Sequence, residues 1–440
     1  MDQNSTLSTL NREDTGRAGD PTCTPVTPCG PASESSYKAP DSCQGSLRKG
    51  LPDLQDEAEV EAVKDLSDCR LCPRDCRVNR LKGEKGFCGE GGTIRAARAA
   101  LYYTEEPVIS GSRGSGTVFF AGCNLGCIYC QNRQISRPGA CPSGALEKDT
   151  SSISDSISSV SRQNVSRQNV SGQGLSGQNV SEQNLSEQNL SGKRKSLPRL
   201  LEISPERMAE IFLELQEQGA HNINLVTPEH FVPLLIPALR RAKKQGLSIP
   251  VVYNTGSYER VEAVKALEGL VDVWLPDLKY VSSALSARHT GAGDYFQYAS
   301  AAIAEMVRQC PEPVFSDGSH TIDCPDDADD PIMVHGVLVR HLALPGCAED
   351  SRAVLRYLYE TYGDRIFISI MNQYTPMPQV LHSHPDPDLC RRLSEAEYEA
   401  LVDFAIDLGI TNGFIQESGT VSPSYIPVFD GTGILPAARR

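Results

Sequence analysis

Two hydrophobic periods alternate along most of this chain. Short apolar runs read as buried strands, and longer stretches with apolar residues three and four apart read as helices. The first run is Gly116-Thr117-Val118-Phe119-Phe120-Ala121. Five more follow at 221–226, 249–253, 271–275, 336–342 and 365–370. Helices are expected from Ser204-Pro205 to about Gln218, and over 231–245, 259–268, 294–309, 350–362 and 394–408. Ser204 is a good N-cap, and proline suits a first helical turn. Six strand–helix units in series predict an α/β fold: a parallel sheet, bent into an open (β/α)6 partial barrel of the TIM type.

The rhythm is broken in several places. Residues 1–60 are rich in Ser, Thr, Pro, Asp and Gly with no apolar period, and are expected to form a disordered tail. A Cys-rich module occupies 61–110. The main domain then covers 111–141 and 199–420, split by a polar insertion at 142–198. Within that insertion, 161–190 repeats a pentapeptide: SRQNV, SRQNV, SGQGL, SGQNV, SEQNL, SEQNL. Five residues match neither a helix face nor a strand face, and the segment lacks the apolar mass to fold alone. A pentapeptide β-helix is the rival reading, but such stacks need bulky apolar residues at fixed sites. Residues 315–331 read as an acidic loop and 421–440 as a C-terminal tail.

At 440 residues the chain can form one large or two ordinary domains. Its net charge of −14 argues against a nucleic-acid partner. No apolar run reaches membrane-spanning length and the opening residues lack a signal-peptide core, so a cytoplasmic protein with no membrane partner is expected. Fifteen cysteines in that setting point to metal or redox use rather than to disulfides.

The chemistry concentrates in Gly122-Cys123-Asn124-Leu125-Gly126-Cys127-Ile128-Tyr129-Cys130-Gln131-Asn132, directly after the first apolar run. From 15 cysteines in 440 residues, about 0.02 such C-x3-C-x2-C patterns arise by chance. Thiolates are the usual ligands of iron–sulfur clusters. Three of them, Cys123, Cys127 and Cys130, hold three irons of a [4Fe–4S] cluster and leave the fourth open to a substrate or cofactor. The rival is a closed structural metal site with a distant fourth ligand. Upstream, Cys69, Cys72, Cys76 and Cys88 follow C-x2-C-x3-C-x11-C. Four thiols in twenty residues suit zinc or a second cluster, or else are four reduced, packed cysteines. The glycine-rich 111–116 precedes a strand instead of following one, so it reads as a turn and not as a phosphate loop.

Parallel sheets gather their chemistry at the carboxyl ends of their strands. Those ends carry Thr227-Pro228-Glu229-His230, Asn254-Thr255-Gly256-Ser257, Pro276-Asp277-Leu278-Lys279-Tyr280, Arg340-His341 and Met371-Asn372-Gln373-Tyr374. Glu229, Asn254, Asp277, Lys279, Arg340 and His341 are therefore candidate partners for a polar ligand or cofactor. Against this, Lys279 could simply pair with Asp277, His341 could be a satisfied core histidine, and Asp272 reads as a cap.

The segments CRLCPRDCRVNR, GFCG, GCNLGCIYCQN, GAHNINLVTPEH, VVYNTGSYE, LPDLKY, VRHLALPG and MNQY resemble the radical S-adenosylmethionine (SAM) superfamily, and within it the branch related to pyruvate formate-lyase activating enzymes. The resemblance covers about 69–136 and 200–416. It implies a cluster whose open iron binds SAM, with Tyr129 as the family's aromatic before the last cysteine. It also implies reductive cleavage of SAM to a 5′-deoxyadenosyl radical, an electron donor such as flavodoxin or ferredoxin, and hydrogen abstraction from a protein or peptide glycine. Activating enzymes carry Gly-Gly-Glu after the second strand, where this chain has Thr227-Pro228-Glu229, and they lack the upstream four-cysteine module. A small-molecule substrate, or a non-catalytic iron–sulfur or zinc protein, are the alternatives.

Overall fold

The computed structural model describes residues 7–9, 66–138, 198–317, 319–320, 331–383, 386–416 and 426–436. The pentapeptide insertion, most of the N-terminal tail and most of the acidic loop lie outside the described residues. Among the described residues there are eleven strands: β1 (Leu7–Thr9), β2 (Ile94–Tyr102), β3 (Ser115–Phe120), β4 (Leu201–Ile203), β5 (Ile223–Val226), β6 (Val251–Thr255), β7 (Val273–Pro276), β8 (Val314–Phe315), β9 (Met333–Leu342), β10 (Phe367–Met371) and β11 (Gly413–Gln416). They form one open sheet in the order β1-β11-β10-β9-β7-β6-β5-β3-β2-β4, with β8 added antiparallel on β9.

The seven strands from β3 to β11 along this order pair in parallel. The six expected strands are all among them, and β11 is a seventh. The flanks are antiparallel: β2 pairs with β3 and β4, and β1 with β11. Hence the sheet is mixed, and Leu7–Thr9 of the expected tail forms one of its two edge strands, β4 the other. Helices lie at Pro205–Glu217, Val232–Lys244, Val261–Lys265, Tyr295–Gln309, Ala348–Tyr362 and Glu395–Leu408, matching the periodic stretches. A further helix, Ser283–Thr290, follows β7.

The helices form where sequence period and capping agree. Ser204 caps the first by accepting from Arg207 N at 3.3 Å, and Met208, Ile211, Phe212 and Leu215 turn one buried face to the sheet. Ser394 and Glu397 make a reciprocal capping box on the last. β3 is buried at every position, and Phe120 packs on Phe231 at 5.8 Å between centroids. Asp272 accepts from Val251 N at 2.9 Å, so it ties the start of β6 instead of capping its own strand. Among the described residues no helix is long and apolar enough to cross a membrane.

Register decides where the chemistry converges. Phe119 is level with Val226, Val226 with Asn254, and Thr255 with Pro276. The loops beginning at Ala121, Thr227, Gly256 and Asp277 therefore leave the sheet along one edge.

Candidate metal and cofactor site

The cysteine loop is held chiefly by its backbone. Gly122 takes a left-handed φ of +83° and donates to Ile135 O at 2.9 Å. Gly126 N and Ile128 N donate to Thr290 O and His289 O, the last carbonyls of the Ser283–Thr290 helix, at 2.9 and 3.0 Å. Asn124, almost fully buried, donates to Tyr258 O at 2.6 Å. Cys123, Cys127 and Cys130 are free, partly exposed thiols. Leu125 N lies 3.3 Å from Cys123 Sγ, in donating geometry. Burial pushes the Cys127 thiol up to about 11, with Lys279 opposing, and pushes Cys123 well up. Metal binding reverses such a preference, because a cation stabilises the thiolate. Among the described residues no three His, Cys, Asp or Glu side chains are gathered around a point suited to a single ion. A four-iron cluster spreads its ligands over several irons and needs no common point.

Beside these thiols stands Glu229, 2% exposed, its Oε1 4.0 Å from Cys123 Sγ. Its Oε2 is buried and has no hydrogen-bond partner among the described residues. Burial, followed by repulsion from Glu259, raises its carboxyl well above the ordinary range. Glu259 is itself saturated, accepting from Thr255 Oγ1 at 2.5 Å and Tyr253 OH at 3.0 Å. Thr227 adopts φ +61°, and Ser257 adopts φ +63° on the next loop. Two non-glycine residues beside the thiols thus hold left-handed backbone, at a cost of about 1–2 kcal/mol per residue.

Asn254, Asp277, Lys279 and Arg340 do meet, but largely on one another. Arg340 donates to Asp277 Oδ1 at 2.9 Å, Asn254 Oδ1 at 2.6 Å and Glu105 Oε2 at 3.1 Å. Lys279 Nζ reaches Asp277 Oδ2 at 2.5 Å in a pair that is mostly buried, not at the surface. Burial works against the Asp277 charge, yet Arg340 and Lys279 outweigh it and hold the carboxyl low. Burial also raises Glu105 to about 7 despite Arg340. His341 is a satisfied core histidine: its ring nitrogens meet Leu278 O at 2.8 Å and Ser351 Oγ at 2.9 Å, leaving neither for a ligand. Tyr129 is tied through Tyr280 (3.1 Å) to His289 (3.0 Å). Glu105, Glu106 and His289 carry no motif, so sequence reasoning misses them, and Tyr280, quoted within LPDLKY, is given no role there.

The upstream cysteines do not stand apart from this site. Arg74 donates to Asn124 O at 2.8 Å and Gly291 O at 2.6 Å, and Arg137 donates to Leu125 O at 3.0 Å. The ring of Phe87 lies between these guanidinium groups, 3.7 and 4.1 Å from ring centroid to Cζ. Buried Arg80 donates to His230 O at 2.6 Å. The module therefore clamps the cysteine loop and the end of β5.

No family model matches the chain. Uncharacterized protein MJ0674 of Methanocaldococcus jannaschii is 24% identical over 356 residues, spanning 80% of this chain and 79% of that protein. A domain of a pyruvate-formate lyase-activating enzyme from Bacteroides vulgatus superposes with a TM-score of 0.28 at 16% identity, over 42% of this chain and 92% of the domain. SuiB of Streptococcus suis bound to S-adenosylmethionine gives 0.33 at 10% identity, over 50% of this chain and 45% of SuiB. Overlaps of this size carry no functional argument, which rests instead on the residues above.

Proposed function

We propose that this chain is a radical SAM enzyme. Cys123, Cys127 and Cys130 would hold a [4Fe–4S] cluster, and Glu229 would receive the SAM ammonium group. The observation that carries this reading is the partnerless, buried Glu229 Oε2 beside three free thiols at the carboxyl edge of a parallel sheet. A buried polar atom without a partner marks a place where a donor belongs. When bound, cluster and SAM together supply a 5′-deoxyadenosyl radical for hydrogen abstraction, with the electron coming from a donor of the flavodoxin or ferredoxin type.

This chain's residues supply the setting. The Gly126 and Ile128 backbone bonds fix the spacing of the thiols. Lys279 places positive charge near Cys127 and is itself held by Asp277. The Arg340 network braces the neighbouring strand ends, so Asn254 and Arg340 act as positioning groups more than as ligands. A protein or peptide glycine is the substrate we favour, from the resemblance of the motifs to activating enzymes. A cytoplasmic location goes with this assignment. The test is anaerobic reconstitution with iron and sulfide, followed by assay for 5′-deoxyadenosine with dithionite. Turnover that survives loss of any one of Cys123, Cys127 and Cys130 would overturn it.

A further inference from the structure

Residues 66–93 contain only one short 3-10 turn, Arg80–Lys82, yet their backbone is closely specified. Cys69 N donates to Val78 O at 3.1 Å and Arg77 N to Cys69 O at 2.9 Å, which folds the segment back on itself around Cys72 and Cys76. Asp75 and Arg77, flanking Cys76, both take positive φ, at 44° and 56°. Non-glycine residues hold that conformation only where their surroundings impose it. Phe87 N lies 3.3 Å from Cys76 Sγ, in the same N–H to sulfur arrangement that Leu125 makes with Cys123. Gly86 lies so close that a Cβ there would be 2.9 Å from Cys76 Sγ. Cys72 is within electrostatic reach of Cys88, Cys69 and Cys76. All four are free thiols.

This group of thiols adjoins the first. The Cys88 carbonyl is so near Gly122, the residue before Cys123, that a Cβ on Gly122 would be 2.8 Å from it. Arg137 feels both Cys123 and Cys88. Residues 66–95 carry seven Arg or Lys against four Asp or Glu, in a chain of net charge −14. Arg70, Arg77, Lys82 and Lys85 among them are exposed; Arg70 and Arg77 pair with Asp68 and Asp75, so Lys82 and Lys85 carry the surface's positive charge.

We propose that Cys69, Cys72, Cys76 and Cys88 hold a second iron–sulfur cluster, through which an acidic one-electron carrier protein reduces the centre at Cys123, Cys127 and Cys130. N–H to sulfur bonds and arginines nearby are the protein's usual means of setting a cluster's potential. The basic surface gives the carrier its docking site. The relay balances: the carrier loses one electron, the centre at Cys123, Cys127 and Cys130 gains it, the second cluster returns to its starting state, and no bond is made or broken. The inference rests on the proposed function only for the electron's destination.

The experiment compares wild type, Cys72→Ser and the triple variant Cys123→Ser/Cys127→Ser/Cys130→Ser, all reconstituted anaerobically. Iron, sulfide and zinc are measured, with electron paramagnetic resonance of the dithionite-reduced proteins. Wild type is expected to hold about twice the iron of either variant, and the triple variant to keep a reduced-cluster signal. Cys72→Ser is expected to retain dithionite-driven 5′-deoxyadenosine formation and to lose the reaction driven by reduced flavodoxin. Should that variant fail to fold, Lys82→Glu/Lys85→Glu leaves every thiol in place and is expected to raise KM for flavodoxin about tenfold at low salt, with the dithionite rate unchanged. A triple variant without iron, or with one zinc in its place, overturns the proposal. So does equal flavodoxin-driven activity in wild type and Cys72→Ser. A triple variant that keeps its cluster, beside a wild type that makes no 5′-deoxyadenosine, overturns the proposed function and leaves the second site standing.

Discussion

Replacing Glu229 by Gln keeps the shape of the side chain and removes its charge. Among the described residues Oε2 of Glu229 has no hydrogen-bond partner, and the neighbouring carboxylates are already committed. Glu259 is committed to Thr255 and Tyr253, and Asp277 to Arg340 and Lys279. An ammonium group arriving at Glu229 would gain a charge-assisted hydrogen bond worth about 1.5–3 kcal/mol. Glu229→Gln should therefore weaken SAM binding roughly ten- to a hundredfold. Iron content should not change, since no thiol is altered. The metal-free protein should be as stable as wild type or more so, because Gln removes a carboxyl whose charge burial penalises. Anaerobic titration calorimetry of the reconstituted proteins with SAM, beside iron analysis and urea unfolding, reads all three. Unchanged SAM affinity refutes the placement of the amino group. Lost iron would mean that Glu229 serves the cluster loop itself.

Three other outcomes follow from the geometry. Burial holds His341 neutral down to about 4, against 6.5 in the unfolded chain. The unfolded chain thus binds the extra proton between these values, so this stability is present above pH 6.5 and lost as pH falls towards 4, by at most about 3 kcal/mol. Urea unfolding of wild type and His341→Gln across that range should show a flatter profile for the variant, and parallel profiles would count against the assignment. Gly122→Ala forces a left-handed alanine whose Cβ meets Glu90 Cγ at 2.5 Å, and should cost more than about 2 kcal/mol in thermal unfolding. A variant as stable as wild type would show that the module does not press on the loop as described. Deleting 142–198 should leave folding and SAM cleavage largely intact, and an insoluble or inactive product would refute that.

The central strands and six helices were legible from their periods, with side-chain caps marking two of the helices, at Ser204 and Ser394. The elements that escaped notice lack such signals. β2, IRAARAALY, mixes arginine with weakly strand-forming alanine, and its pairing with β3 is interrupted between Ala96 and Arg98. β11 is only four residues long. The helix Ser283–Thr290 reads SALSARHT, with little contrast between its faces. Strand-end polarity pointed to Glu229 and Lys279 but could not tell ligand from brace. Arg340 and Asn254 take their present meaning from Glu105, which reaches them from a loop some 150 positions earlier than Asn254 and could be placed only by the topology. His341 shows the converse: position alone suggested a ligand, and Leu278 O and Ser351 account for both nitrogens.

The two ends of the repeat insertion are anchored independently. On one side Arg137 is tied to Leu125 O, and on the other Arg199 N donates to Phe429 O while β4 pairs with β2. Whatever the number of SxQNx units between them, the strands that frame the cysteine loop carry no added load. Doubling the length of such a connection costs only about 0.6 kcal/mol in closure entropy. Variants that carry more or fewer whole pentapeptides should therefore differ little in stability and share one setting around Cys123.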